Sequence, residues 1–109
     1  MKISFIYMAS GFGSRFGSNK LLIPFKGKEL YRHGLDCICR AAEELEKEGH
    51  RTEVLVVSQY EEILKQAESQ GLLAVLNRFS GEGITASLRL GTDSASPESE
   101  ALLFSVADQ

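Results

Sequence analysis

The feature of this sequence that most constrains its fold is a regular alternation of short β-rich runs with segments of helical periodicity. The β-rich runs lie at residues 3–8, 53–58, 72–76 and 101–107, and the helical segments at 30–45, 61–70 and 84–93. Strands separated by helices pair in parallel through right-handed crossovers. The pattern therefore predicts a single α/β domain, a Rossmann-like three-layer α/β/α fold around a mainly parallel sheet.

The order of the strands predicts where a ligand would bind. In the common doubly wound arrangement the fourth strand lies beside the first, on the side opposite the second and third, which gives the order 3-2-1-4. Ligands bind at the resulting switch point, beyond the carboxyl ends of the strands. The segments delivered there are residues 9–20 and Asp108-Gln109. We expect the sheet to be truncated after this fourth strand.

Composition excludes several classes of partner. The chain has 109 residues, 43% of them hydrophobic, and a net charge of −3. It therefore offers no overall basic field for nucleic acid or for anionic membranes. Because no apolar run reaches about 18 residues and no secretory signal begins the chain, we expect a cytoplasmic protein. Cys37 and Cys39 lie two apart in a helical segment and are predicted to be buried thiols.

A glycine-rich basic stretch follows the first predicted strand. Its three glycines, Gly11, Gly13 and Gly17, allow backbone amides to approach a ligand closely. Arg15 offers a planar fork for phosphate oxygens, and Lys20 a compact positive charge. The stretch therefore predicts a phosphate-binding loop over residues 11–20. A solvated surface loop is the alternative, because glycine-rich motifs alone have low specificity.

Two widespread phosphate-binding motifs do not fit this loop. The dinucleotide fingerprint G-x-G-x-x-G opens a helix at once, but the spacing from Gly13 to Gly17 is one residue too long. An apolar run at 21–25 and a turn at 26–28 also precede the first helical segment. The P-loop ends in Gly-Lys-Ser/Thr, whereas Lys20 follows Asn19.

Three segments in order carry a family resemblance. Residues 8–22, M-A-S-G-F-G-S-R-F-G-S-N-K-L-L, resemble the signature loop of the MobA-like nucleotidyltransferases, most closely that of molybdenum cofactor cytidylyltransferases. Residues 105–109, S-V-A-D-Q, are similar to the strand end that carries the family's metal-binding aspartate. A second nucleotide-side motif is matched by Asn77, Gly83, Ser87, Leu88 and Gly91. The resemblance covers the chain but only about the first half of a family member. It implies that residues 1–109 are the nucleotide-binding part and that the acceptor-binding half is absent.

The resemblance implies transfer of a nucleoside monophosphate to a phosphate acceptor such as molybdopterin, with release of pyrophosphate. The implied nucleotide-binding residues are Ala9, Ser10, Gly11, Gly13, Ser14, Arg15, Lys20, Asn77 and Ser87. Arg15 would hold the β/γ end of the triphosphate, and Lys20 would neutralise charge at the α-phosphate. Asp108 would bind Mg²⁺, the expected cofactor, and completes the expected catalytic set with Arg15 and Lys20. Asn77 and Ser87 would lie on the base and ribose side.

The sequence leaves several interpretations of the substrate and the oligomeric state open. Residues 19–22 and Asp108-Gln109 favour the cytidylyl branch, so we expect CTP to be preferred over GTP. The alternatives are a guanylyl or sugar-phosphate nucleotidyltransferase, or a non-catalytic nucleotide-binding fragment. Because the fourth strand would be an uncovered sheet edge, we also expect a homo-oligomer through that edge.

Overall fold

The computed structural model describes residues 1–9, 24–78 and 84–106. Strands and helices alternate along this part of the chain, as the sequence pattern predicts. The elements are β1 (Lys2–Met8), β2 (Pro24–Phe25), β3 (Lys28–Glu29), α1 (Leu30–Lys47), β4 (Arg51–Ser58), α2 (Glu61–Ser69), β5 (Leu73–Leu76), α3 (Ile84–Ser94) and β6 (Ala101–Val106).

Four of the strands form one parallel sheet in the order β5-β4-β1-β6. This is the predicted 3-2-1-4 order, so the Rossmann-like prediction is confirmed. The central strand β1 pairs on both sides, with Met8 opposite Val57 of β4 and Val106 of β6. The carboxyl ends of β4, β1 and β6 therefore reach the same edge of the sheet. The order in which strands are added across the sheet reverses between β1 and β6, which makes this the switch point.

The sheet buries both faces, which makes the architecture three-layered. Side chains alternate along β1, so that Tyr7 faces α1 and α2 while Ile6 and Met8 face α3. The first face is filled by Ile3, Phe5, Tyr7, Tyr31, Leu35, Val54, Val56, Ile63 and Ala67. The second is filled by Ile6, Met8, Leu55 and Val57, with Leu88 and Leu90 of α3 packed on them.

Two glycines end helices α1 and α2. Gly49 has φ 98° and Gly71 has φ 79°, backbone angles that L-residues rarely adopt. At the end of α1, the Gly49 amide donates to the Glu46 carbonyl and the His50 amide to the Leu45 carbonyl. These two bonds form a Schellman motif, and α2 ends with the same pair of bonds. Each motif satisfies carbonyl groups that the end of a helix leaves without partners.

Two other glycines set the distance between helices and sheet. A Cβ atom on Gly34 of α1 would lie 2.5 Å from the Tyr7 hydroxyl oxygen. On the opposite face, a Cβ on Gly91 of α3 would lie 2.5 Å from Cγ2 of Ile6. Gly91 belongs to the segment that resembles a nucleotide-side motif, and in the structure it allows α3 to approach β1 closely.

A short antiparallel hairpin precedes α1, where the sequence indicated only a turn. Strands β2 and β3 pair with Pro24 opposite Glu29 and Phe25 opposite Lys28. The connecting residues, Lys26 at φ 50° and Gly27 at φ 90°, are both left-handed. Positive φ at both central positions is the signature of a type I′ turn, whose twist matches that of the strands it joins.

A half-buried carboxylate, that of Glu53, ties together the amino-terminal edge of the sheet. Glu53 Oε2 accepts hydrogen bonds from the Ser4 hydroxyl, at 2.5 Å, and from the Ser96 amide, at 2.7 Å. The Ser4 hydroxyl also bonds with that of Ser99, and the Lys2 ammonium lies 4.0 Å from Glu53 Oε1. This Glu53 network anchors the connection between α3 and β6 to the end of the sheet opposite the predicted site.

Within the described ranges, no helix combines the length and apolarity that crossing a membrane requires.

Candidate functional site

Ala9 is the first residue of the candidate site, at the carboxyl edge of the sheet. This residue follows β1 directly, is fully buried, and donates its amide hydrogen to the Val57 carbonyl at 2.8 Å. The bond extends the β1–β4 ladder by one residue beyond the last strand position. Ala9 is therefore held rigidly at the point where the chain leaves the sheet toward the predicted phosphate-binding loop.

Ser58, the last residue of β4, is the buried polar group beside Ala9. Its hydroxyl donates to the Ala9 carbonyl at 2.8 Å and accepts the Tyr60 amide at 3.0 Å. The side chain is fully buried, so the bond to Ala9 is made away from water, while the bond from the half-buried Tyr60 is partly covered. Sequence reasoning missed Ser58, although a serine that ends an apolar strand is a recognisable signal for a polar group buried at this edge.

Asn77 lies at the same edge, immediately after β5. It is fully buried, and its backbone amide donates to the Ser58 backbone carbonyl at 2.9 Å. Loop asparagines are commonly exposed turn formers, and this one is not. The structure thus brings together Ala9 and Asn77, two of the predicted nucleotide-side residues, through the single intervening residue Ser58.

The end of β6 and the start of α3 contribute to the same region. Val106 pairs with Met8, so the chain leaves β6 beside the point where it leaves β1; Asp108 follows two residues later. The helix α3 begins at Ile84, after the segment that follows β5, and Ser87 lies in its first turn. A helix amino terminus favours negative charge because its first amides lack helical partners. The backbone of Ser87 lies at this amino terminus. Its side chain lies outside the described part, and its role on the base and ribose side stays a prediction.

The other predicted site residues cannot be placed in this geometry. They lie outside the described residues, and their roles stay predictions. They are Ser10, Gly11, Gly13, Ser14, Arg15, Lys20 and Asp108. Among the residues that the structure does describe, no three or more His, Cys, Asp or Glu side chains gather into a metal-binding group.

A groove of about 380 Å³ lies elsewhere, between α1 and the connection from α2 to β5. Its lining includes Cys39, Glu43, Glu46 and Thr52, toward the amino-terminal edge of the sheet. Burial raises the pKa of the Cys39 thiol, and the carboxylates of Asp36 and Glu43 raise it further. The acidic surroundings disfavour a polyphosphate, so we do not place the nucleotide here.

The cysteine prediction is partly wrong. Cys37 is exposed and Cys39 is only half-buried, and both are free thiols. A spacing of two on a helix turns the side chains by about 200°, so the sheet can cover at most one of them. The structure covers Cys39, which packs against the buried cluster shared by α1 and the sheet.

Comparison with known proteins agrees with this architecture. The model of the MobA-like NTP transferase domain matches residues 5–109. The crystal structure of Rv0371c from Mycobacterium tuberculosis H37Rv superimposes with a TM-score of 0.70 at 21% identity, covering 98% of this chain and 51% of that one. The chain therefore spans about half the length of this structural neighbour, and the likeness concerns the fold. No curated protein gives a significant match. Because the family model covers nearly the whole sequence, the chain belongs to the MobA-like NTP transferase domain family.

Proposed function

We propose that this chain is the nucleotide-binding part of a nucleotidyltransferase, and that it transfers a nucleoside monophosphate to a phosphate acceptor with release of pyrophosphate. One observation carries the proposal: Ala9, Asn77 and the end of β6 converge at the switch-point edge of the sheet. The sequence that follows Ala9 is the glycine-rich stretch with Arg15 and Lys20, and family membership supports a nucleotidyltransferase in general. The nucleotide would lie across this edge.

The chemistry at such a site is positioning and charge stabilisation, which needs no nucleophilic side chain. Arg15 would bind the β- and γ-phosphates, and Lys20 would offset the charge that develops at the α-phosphate. Both cations suit these roles, since a guanidinium binds phosphate oxygens in pairs and an ammonium acts as a point charge. Backbone amides of Gly11 and Gly13 would add hydrogen bonds without any side chain in the way.

Mg²⁺ is the cofactor we propose, with Asp108 as the residue that would hold it. The supporting observation is the pairing of Val106 with Met8. Because Met8 precedes Ala9 and Val106 is followed two residues later by Asp108, the chain toward Asp108 leaves the sheet on the strand next to Ala9. A carboxylate oxygen is the ligand type that Mg²⁺ prefers, and substrate phosphates and waters commonly complete its coordination. The ion would neutralise phosphate charge during transfer.

For the substrates, we propose CTP in preference to GTP as donor and a molybdopterin-type phosphate as acceptor. Both follow from the likeness of residues 8–22 and Asp108-Gln109 to the cytidylyl branch. The alternative within the same reaction class is a guanylyl or sugar-phosphate nucleotidyltransferase, whose nucleotide would lie at the same edge. A non-catalytic nucleotide-binding fragment is the candidate from another class. A cytoplasmic location completes the proposal.

Calorimetric titration with Mg²⁺·CTP, alongside Mg²⁺·GTP, tests the proposal. We expect binding of CTP in preference to GTP, and Arg15→Ala should weaken triphosphate binding by about 10- to 100-fold because charge-assisted bonds are lost. Binding of CMP should change much less, since it lacks the β- and γ-phosphates. Equal losses for CTP and CMP would contradict the assigned role of Arg15.

Two further variants sharpen this experiment. Arg51→Ala is the matched control, because Arg51 is an exposed arginine at the amino-terminal edge of the sheet and should leave affinity unchanged. Asp108→Asn should lower the gain in affinity that Mg²⁺ provides. Failure of the wild-type chain to bind either triphosphate would contradict the proposed function as a whole.

A further inference from the structure

We propose that Ser58 is a positioning residue for nucleotide binding, holding Ala9 with its side chain and Asn77 with its backbone. The inference rests on the proposed function, since it assigns a role at the same site to a residue that neither the sequence motifs nor the family resemblance singles out. Ser58 would touch no nucleotide atom. It would act through the two segments that leave the sheet on either side of β4.

The hydrogen bonds of Ser58 leave its hydroxyl a single orientation. The group donates to the Ala9 carbonyl at 2.8 Å while it accepts the Tyr60 amide at 3.0 Å. Acceptance from the amide two residues ahead is a common serine turn interaction, which turns the hydroxyl back over the end of β4. Its hydrogen is then directed at Ala9.

The backbone of Ser58 completes the connection. Its carbonyl accepts the Asn77 amide at 2.9 Å, while the preceding carbonyl, that of Val57, accepts the Ala9 amide at 2.8 Å. Both predicted nucleotide-side residues are thus tied to adjacent peptide groups of β4. Because Ser58, Ala9 and Asn77 are all fully buried, a displacement of one would be transmitted to the others.

Loss of the hydroxyl would disturb Ala9 without removing a nucleotide contact. The Ala9 carbonyl would lose the Ser58 hydroxyl as a partner in the buried interior, where an unsatisfied acceptor is costly, so Ala9 would shift. The amide of the half-buried Tyr60 would lose the same hydroxyl. Ser10 is the next residue along the chain and belongs to the predicted site. A displacement that costs the site one hydrogen bond to a charged phosphate would lower nucleotide affinity by about 10-fold or more.

Ser4 provides the matched control for a purely structural serine. It is also fully buried, lies in β1 next to β4, and makes side-chain bonds to Glu53 and Ser99. Its bonds, however, lie at the amino-terminal edge, away from Ala9 and Asn77. Ser4→Ala therefore removes a comparable buried hydroxyl at the wrong end of the sheet.

The test compares Ser58→Ala, Ser58→Thr and Ser4→Ala in the full chain. Affinity for Mg²⁺·CTP is measured by calorimetry at a temperature where urea unfolding shows each variant to be folded. We expect Ser58→Ala to lose at least about 10-fold in affinity. Ser58→Thr should recover most of it because the hydroxyl is kept, and Ser4→Ala should bind like the wild type. If Ser58→Ala does not fold, Ser58→Cys takes its place, since a thiol has the same branching as the hydroxyl, is slightly larger and is a weaker donor.

Wild-type affinity in a folded Ser58→Ala variant would overturn the inference while leaving the proposed function intact. Equal losses in Ser58→Ala and Ser4→Ala would also overturn it, because a general loss of stability would then explain both. Absence of any triphosphate binding by the wild-type chain would instead defeat the proposed function, and this inference with it.

Discussion

Replacing Gly34 by alanine should destabilise the protein, although alanine is the better helix former. Gly34 lies within α1, where helical propensity alone would make alanine more favourable by about 1 kcal/mol. The added Cβ, however, would lie 2.5 Å from the Tyr7 hydroxyl oxygen and 3.2 Å from its Cζ. A carbon and an oxygen atom that are not bonded cannot lie 2.5 Å apart, so either the helix or the ring must move.

The surroundings of Tyr7 decide which effect is larger. The ring is buried in the core, and its hydroxyl donates to the Tyr31 carbonyl at 2.7 Å. Moving it would sacrifice that bond, worth about 1 kcal/mol, and overpacking a core adds about 1–3 kcal/mol. Set against the propensity gain, the free energy of unfolding should fall by about 1–3 kcal/mol. Each kcal/mol corresponds to about 4–8 °C in Tm for a domain near this size.

Urea and thermal unfolding, followed by circular dichroism, measure this effect, and a double-mutant cycle isolates its cause. Tyr7→Phe removes the oxygen atom that would lie at 2.5 Å and leaves carbons at 3.2 and 3.3 Å. In that background Gly34→Ala should change the free energy of unfolding by less than about 1 kcal/mol. A stabilisation of the wild-type protein by Gly34→Ala would refute the packing argument, as would the same loss in both backgrounds.

Two other features give predictions of the same kind. Glu53→Ala should lower the free energy of unfolding, measured by urea titration, by about 2–3 kcal/mol, since the Ser4 hydroxyl and the Ser96 amide lose a charged acceptor. Glu53→Gln keeps an acceptor oxygen and should cost less than half as much in the same titration. The edge strand β6 exposes 48% of Leu103 and 41% of Phe104, so we expect concentration-dependent self-association in sedimentation velocity that Phe104→Lys abolishes; a monomer at all concentrations would contradict the predicted edge contact.

The sequence by itself determined the layout of the fold. Apolar runs such as Val54-Leu55-Val56-Val57, too short for a helix and bounded by polar residues, indicated buried strands. Their alternation with helices left a parallel sheet with right-handed crossovers as the expected solution. The 3-2-1-4 order followed from the common doubly wound arrangement. The stops at Gly49 and Gly71 were equally readable, since a left-handed residue after a helix is most often glycine.

The sequence also predicted which residues belong at the switch-point edge, but not how they are held there. The predicted strand order put Ala9 at that edge and a family resemblance added Asn77; in the fold both lie there. The hairpin of β2 and β3 escaped prediction because strands of two residues are too short to show any periodicity.

Only the tertiary structure decided the contacts between residues far apart in the chain. Ser58 lies 49 residues from Ala9, and its hydroxyl gains a role because β1 and β4 end side by side. Likewise, Gly34 and Gly91 look like poor helix residues until the sheet beneath them shows that a Cβ would strike Tyr7 or Ile6. Periodicity depends on neighbours a few residues away, so it is written along the chain. Close packing and buried hydrogen bonds depend on which surfaces meet, and the fold alone determines that.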